Sequence, residues 1–208
     1  MINLKYLSIG DGRIVLFIGL GAGAFLLFFL YEAHVVSGRF RVLHACFLSG
    51  CLLLTAATLG LAAGAVMCPD AIPARLIGGG CGALVFLALL VYTLFFALPF
   101  SATYTQAGGT QGTGKPCVCR TGVYALCRHP GVLWLAGVHL CVWLMSGTGV
   151  TLAAFLLFTA LNVAYVTLQD SWSFPRCFAD YDDYKKNVPF LLPRPRSVRR
   201  CFETLAGR

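Results

Sequence analysis

Charge is the scarcest property of this chain. Of its 208 residues only 12% are Asp, Glu, Lys or Arg, about half of the roughly 25% that a soluble domain carries. Only 8 are acidic. So few charges cannot coat a composition that is 58% apolar with a mean hydropathy of +0.78, and a water-soluble globule is excluded. Charge is absent altogether from four long intervals, Ile14–Tyr31, Val42–Pro69, Leu76–Gly114 and His129–Gln169. Each can supply one or two membrane spans of about 20 residues. The fold class that follows is all-α, a polytopic membrane protein of about five helices.

The shortage of acids leaves a net charge of +8. The basic residues stand beside apolar segments rather than on an aromatic-interleaved soluble module, so a membrane surface is their expected partner and nucleic acid is not. Cysteine is plentiful, with 10 residues, but Cys46, Cys51, Cys81 and Cys141 lie inside apolar runs, where cysteine acts as a small hydrophobe. We read the cysteines as reduced. The first apolar run, after Lys5 and Arg13, has no polar region behind its small residues, so it reads as an uncleaved helix rather than a signal peptide.

Span one is expected at about Ile14–Tyr31 and span two within Val42–Met67, where Gly50, Ala56, Ala57, Gly60 and Ala63 suit close helix contact. Cys68-Pro-Asp ends the second. Span three runs from about Leu76 to Leu98 before Pro99, and its Gly78-Gly79-Gly80 start suits close approach or a kink. The polar, glycine-rich Ser101–Gly114 reads as a flexible loop. Ser146-Gly147-Thr148-Gly149 divides the last interval into two antiparallel helices, spans four and five. Of the 16 basic residues, all but Lys5, Arg13 and Arg75 then fall on one side, which places the tail in the cytoplasm. Residues 1–100 form the three-span region; residues 101–195 hold the loop, the hairpin and an amphipathic segment in which Trp172, Phe174, Phe178, Tyr181 and Tyr184 alternate with charges. Residues 196–208 form a basic tail. From Arg194 onward there are five arginines and one glutamate, suited to anionic lipid headgroups.

The chemistry-bearing residues cluster at the two ends of the hairpin. Arg128-His129-Pro130 stands where the third loop enters the membrane, and proline suits the first turn of a helix. A helix start with a fork of guanidinium donors and a titratable ring favours an anion. The same residues also fit a plain positive-inside arginine and a capping histidine. Gln169-Asp170 ends span five, and antiparallel helices of similar length return it to the level of Arg128-His129. The two pairs are therefore expected to face each other across one mouth. Tyr124 shares a face with Arg128 if residues 122–128 are helical, and its ring suits a sulfonium; an interfacial tyrosine of the aromatic belt is the alternative. The spacing of Cys117, Cys119, Cys127 and His129 is not that of a usual zinc site, and Arg128 would oppose a metal charge.

The string Val118-Cys119-Arg120-Thr121-Gly122-Val123-Tyr124-Ala125-Leu126-Cys127-Arg128-His129-Pro130 is followed by the hairpin, then by Tyr181-Asp182-Asp183-Tyr184-Lys185-Lys186-Asn187-Val188-Pro189 and Leu192-Pro193. Over about residues 116–193 the chain resembles the isoprenylcysteine carboxyl methyltransferases and related phospholipid methyltransferases. The resemblance implies a membrane enzyme, of a bacterial inner membrane or the endoplasmic reticulum, that takes S-adenosylmethionine from the cytosol and a lipid or prenylated acceptor from the bilayer. It implies that Val118, Cys119, Tyr124, His129, Pro130, Gly131, Val132 and Gln169 line the cofactor. Arg128 belongs to the Arg-His-Pro motif and would hold a carboxylate. Asp170 would take the cofactor's amino group, position its partners, or act as base for an amine acceptor. The chain departs from the family at Val132 (usually Tyr), at bulky Leu133 and Trp134, at Gln169-Asp170 (usually paired Glu) and at Pro116 (His in relatives). A non-catalytic scaffold of the same fold and a nicotinamide-dependent lipid reductase are the alternatives.

Overall fold

The computed structural model describes residues 10–37, 44–67, 72–97 and 115–206, and among them every regular element is helical. The chain is an all-α membrane protein. Four helical stretches are long and apolar enough to cross a bilayer: Gly12–Ser37, Ala45–Val66, Pro73–Phe96 and Gly149–Cys177. These lie in α1 (Gly10–Ser37), α2 (His44–Val66), α3 (Pro73–Val91, continued by a π-helical turn Tyr92–Phe96) and α6 (Gly149–Leu168, continued by a π-helical turn Gln169–Ser173 and by the short helix Phe174–Cys177). The expected fourth span is shorter. Helix α5, Pro130–Ser146, has 17 residues, or about 26 Å at 1.5 Å per residue, against a hydrocarbon thickness of about 30 Å. Short helices follow α3 and α6: α4 (Val123–Leu126), α7 (Phe174–Cys177), α8 (Tyr181–Asn187) and α9 (Pro195–Ala206). The glycine-rich loop 101–114, Cys68-Pro-Asp and Pro99 lie outside the described residues.

The chain forms two compact units, Met1–Val85 with Ala136–Tyr165, and Phe86–Leu135 with Val166–Arg208, a division that cuts across the linear segments of the sequence. In the first unit the usual polarity of a globule is inverted. Leu48, Leu52 and Leu59 of α2 and Ile77 and Leu84 of α3 are all about two-thirds exposed, while Glu32, His139 and Asn162 are buried. Lipid gives apolar side chains no reason to hide, so helix association depends on close packing and on polar contacts held inside.

Small residues supply the packing. A side chain at Gly50 would strike Phe28, one at Gly60 would strike Phe17, and Gly64 lies opposite Ile14, so α1 and α2 run antiparallel in close contact. Ala57, Leu61 and Ala65 are buried on the same helix, whereas Ala56 and Ala63 are exposed. Of the three glycines at the start of α3, only Gly79 makes a close approach. A Cβ there would sit 2.5 Å from Met145 Cγ and 3.0 Å from the Cys141 carbonyl, while at Gly78 or Gly80 it would meet nothing within 4 Å. The helix runs unbroken through all three.

Polar contacts complete the unit. The Tyr165 hydroxyl donates to Glu32 Oε1 at 2.8 Å, and Thr58 Oγ1 lies 3.1 Å from His139 Nε2. The first helix therefore continues past the expected end at Tyr31: Glu32, the first charge after the apolar run, is drawn inside by a tyrosine of α6 instead of ending the span. Phe25 and Phe28 pack on Phe158 and Tyr165 beside it.

The tight fit at Gly79 is directly testable. Gly79→Val forces a side chain against a backbone carbonyl and is expected to cost about 1–3 kcal/mol, whereas Gly78→Val should stay within about 0.5 kcal/mol. Unfolding of the two variants in detergent, followed by circular dichroism, checks the difference.

Candidate functional site

The site lies in the second unit and starts from a backbone constraint. Gly122 has φ +61° and ψ −135°, a conformation that L side chains rarely adopt, and its N–H donates to Thr204 Oγ1 at 2.9 Å. From this turn the chain makes one short helix, α4, and then straightens at Cys127 (φ −157°, ψ 165°). Residues 122–128 are thus not one helix, and Tyr124 does not share a helical face with Arg128. The Tyr124 hydroxyl donates instead to the Thr93 carbonyl at 3.2 Å, and its own carbonyl accepts from the Tyr184 hydroxyl at 2.7 Å.

Extended backbone at Cys127 lets the Arg128 N–H donate to the Pro189 carbonyl at 2.9 Å, so the Arg-His-Pro string is pinned to the Val188-Pro189 string. Pro130 then opens α5 as its first residue, where its missing N–H costs nothing. Trp134, one turn on, donates its indole N–H to Thr93 Oγ1 at 3.0 Å. Its bulk is therefore a tie to the π-helical turn after α3.

A second π-helical turn, Gln169–Ser173, carries Asp170. The extra residue in such a turn re-aims the side chains that follow it, and both Asp170 and Ser173 are buried there. Asp170 Oδ1 accepts from the Tyr181 hydroxyl at 2.7 Å and lies 3.3 Å from both His129 Nε2 and Arg128 Nε. Its Oδ2 pairs with Lys185 Nζ at 3.2 Å, and the same ammonium donates to the Asp170 carbonyl at 3.0 Å. The hairpin ends thus meet at one carboxylate, as their antiparallel geometry requires.

One feature of this cluster is incomplete. Arg128 Nε is near enough for an ion pair but makes no hydrogen bond, although it is buried, and buried Ser173 Oγ also has none. An orphaned donor on a guanidinium costs about 1–3 kcal/mol unless something accepts from it. Aromatic rings pack beside it and its neighbour. The His129 ring stacks on Phe174 at 5.8 Å and meets Phe190 edge-on at 5.2 Å, and the Arg128 guanidinium lies 5.4 Å from the Phe190 ring centre.

Burial sets the protonation of the surrounding groups. It lowers the His129 pKa below its usual 6.5, against the opposing pull of Asp170, so the ring is neutral at pH 7 and Nε2 carries the proton that faces the carboxylate. Burial also pushes the Tyr124, Tyr181 and Tyr184 phenols well up, which keeps them donors. The Cys127 thiol is pushed up to about 12, so it is no nucleophile at neutral pH.

The remaining predicted residues are placed less centrally. Val118 and Cys119 lie beside Asp180: the Val118 N–H donates to Asp180 Oδ1 at 2.8 Å, Arg120 pairs with Oδ2 at 2.6 Å, and Cys119 Sγ is 3.6 Å from Thr121 Oγ1. Val118 also packs on the buried Tyr181, Tyr184 and Val188 cluster. Val132 is buried, Gly131 borders Leu90, and Gln169 is half-buried in the π-helical turn. Tyr181, Lys185 and Phe190 complete the cluster, and only their place in the tyrosine-rich string and its continuation pointed to them. Asp170, with both oxygens taken by the protein's own donors, is not placed to act as a base.

Removing the shared anion leaves two cations uncompensated, so Asp170→Asn should destabilise the fold by about 3 kcal/mol or more, and Tyr181→Phe by about 1 kcal/mol; unfolding midpoints in detergent measure both. Because the His129 pKa is lowered on folding, the unfolded chain takes up the proton first as pH drops through about 6.5. The contribution of the neutral ring is complete above that pH and is lost below it. Between about pH 7.5 and about pH 5 the wild type should therefore lose more stability than His129→Gln; a greater loss in the variant would show a cationic ring. No protein-family model matches this chain, and no curated protein or solved structure matches it either.

Proposed function

We propose that the chain is an integral membrane methyltransferase that transfers a methyl group from S-adenosylmethionine to a lipid-like or isoprenylated acceptor, a carboxylate by preference. The observation that carries this reading is the buried, unsatisfied Nε of Arg128. A guanidinium whose Nε lies by Asp170 without hydrogen-bonding to it, held two residues before α5 and set against the Phe190 ring, fits the carboxylate of an amino-acid-like ligand.

The cofactor, when bound, supplies a methyl carbon activated by an attached sulfonium. The protein's part is alignment in a dry site. Arg128 holds a carboxylate, either the cofactor's or the acceptor's. Asp170 is a positioning residue: it aims Arg128 and His129 and keeps Lys185 against the π-helical turn. Neutral His129, packed between two phenyl rings, excludes water without adding charge beside a sulfonium. A carboxylate acceptor needs no proton removed, which agrees with a site whose carboxylate already meets the protein's own donors at both oxygens.

The C-terminal end fits the cytosolic side. Helix α9 buries Ser197 and Cys201 and leaves Arg199, Arg200 and Phe202 exposed, a face suited to anionic headgroups. The filled oxygens of Asp170 are also what a non-catalytic scaffold would show, and binding separates the two readings. Purified protein in detergent should bind S-adenosylhomocysteine by calorimetry, and Arg128→Lys, which keeps the charge but loses the fork, should bind it about tenfold or more weakly. Transfer of a labelled methyl group into a total lipid extract then sorts the acceptors. Absence of any binding by the wild type rejects the enzyme reading.

A further inference from the structure

The first unit contains a cavity of about 400 Å³ where α3 begins and α5 ends, lined by Arg75, Gly78, Gly79, Trp143, Leu144 and Gly147. Its size is within the range of small-ligand sites, about 300–1,000 Å³. Glycine makes the space. A Cβ on Gly78 would meet nothing within 4 Å, and one on Gly147 would sit 2.8 Å from Arg75 Nη1. The bare turn at Gly147, with φ +66°, therefore leaves room for Arg75 Nη1 to approach it. Arg75 is exposed and pairs with no acid among the described residues. The opposite wall is apolar: Trp143 is half-buried, Leu144 is 46% exposed, and Ile77, one residue before Gly78, is 68% exposed.

A lone cation at the end of a membrane-crossing helix, an indole across from it and an apolar flank leading along the helix together describe an amphiphile with an anionic head. Tryptophan and arginine are the side chains that meet headgroups at the boundary of a bilayer. We propose that this cavity holds the phosphate of an anionic phospholipid on Arg75, with the glycerol and first acyl carbons against Trp143 and Leu144. This site is distinct from the Arg128–Asp170 cluster and from the basic face of α9, and it does not depend on the methyltransferase reading.

Native mass spectrometry of the full chain in neutral detergent, titrated with phosphatidylglycerol or phosphatidylcholine, tests it. The first phosphatidylglycerol should be retained about fivefold more strongly than phosphatidylcholine, the factor that one basic side chain contributes at an anionic surface. Arg75→Gln removes the charge, and Gly78→Leu fills the cavity while leaving the charge; each should abolish the preference. Lipid bound to the arginines of α9 is common to all three proteins and cancels in the comparison. Unfolding midpoints confirm that the variants are folded. Equal preference in the wild type and both variants would overturn the proposal. Loss in Arg75→Gln alone would also overturn it, because the guanidinium would then bind lipid outside the cavity. Displacement by inorganic phosphate would overturn the lipid assignment in favour of free phosphate.

Discussion

The carboxylate of Asp170 is the point on which the second unit depends. Arg128, His129, Tyr181 and Lys185 reach it from both sides of the α5–α6 hairpin and from the helix beyond it, at 2.7–3.3 Å. A buried ion cluster of this kind adds little to stability relative to apolar packing, but it penalises every arrangement that leaves one of its members unpaired. Its effect is therefore on register. It determines where α5 starts, where α6 ends, and how the tyrosine-rich segment folds back. Each of the two π-helical turns carries a buried residue that ties the unit together, Thr93 in one and Asp170 in the other.

The cluster is nearly closed, and the exception gives it a chemical reading. Oxygens of the carboxylate are filled, the imidazole is neutral and packed between phenyl rings, and the neighbouring thiol is inert. Among the cluster's charged groups, Arg128 keeps a buried donor without a hydrogen-bond acceptor. Acid–base catalysis has little to work with here, whereas recognition of an anion and exclusion of water have much. The proposed methyl transfer to a carboxylate rests on this contrast, since that reaction needs alignment more than proton transfer.

The first unit solves a different problem with different means. Apolar side chains cannot drive its helices together in lipid, so glycines at positions 50, 60 and 79 bring backbones close, and Glu32 and Tyr165 meet inside. Where glycine is not used for contact it leaves space. Gly78 leaves open a cavity beside Arg75 at the end of the same helix that Gly79 packs, while Gly147 admits the guanidinium at its edge. Adjacent glycines thus have opposite structural consequences, and nothing in the Gly78-Gly79-Gly80 string distinguishes them.

Much was legible in the residues alone, for reasons specific to membranes. Uncharged intervals locate spans because lipid tolerates no exposed charge, and Ser146-Gly147-Thr148-Gly149 can only be a turn between two of them. Given those two facts, the meeting of Arg128-His129 with Asp170 follows from helix length. What the sequence could not determine was set by contacts between distant residues. Glu32 reads as the end of a span, yet Tyr165, far along the chain, draws it inside. Tyr124 reads as a neighbour of Arg128, yet the Cys127 backbone straightens to reach Pro189, and the tyrosine goes to Thr93. Periodicity encodes which face of a helix is apolar, but a hydrogen bond that overrides the helix depends on a partner that only the tertiary fold brings near.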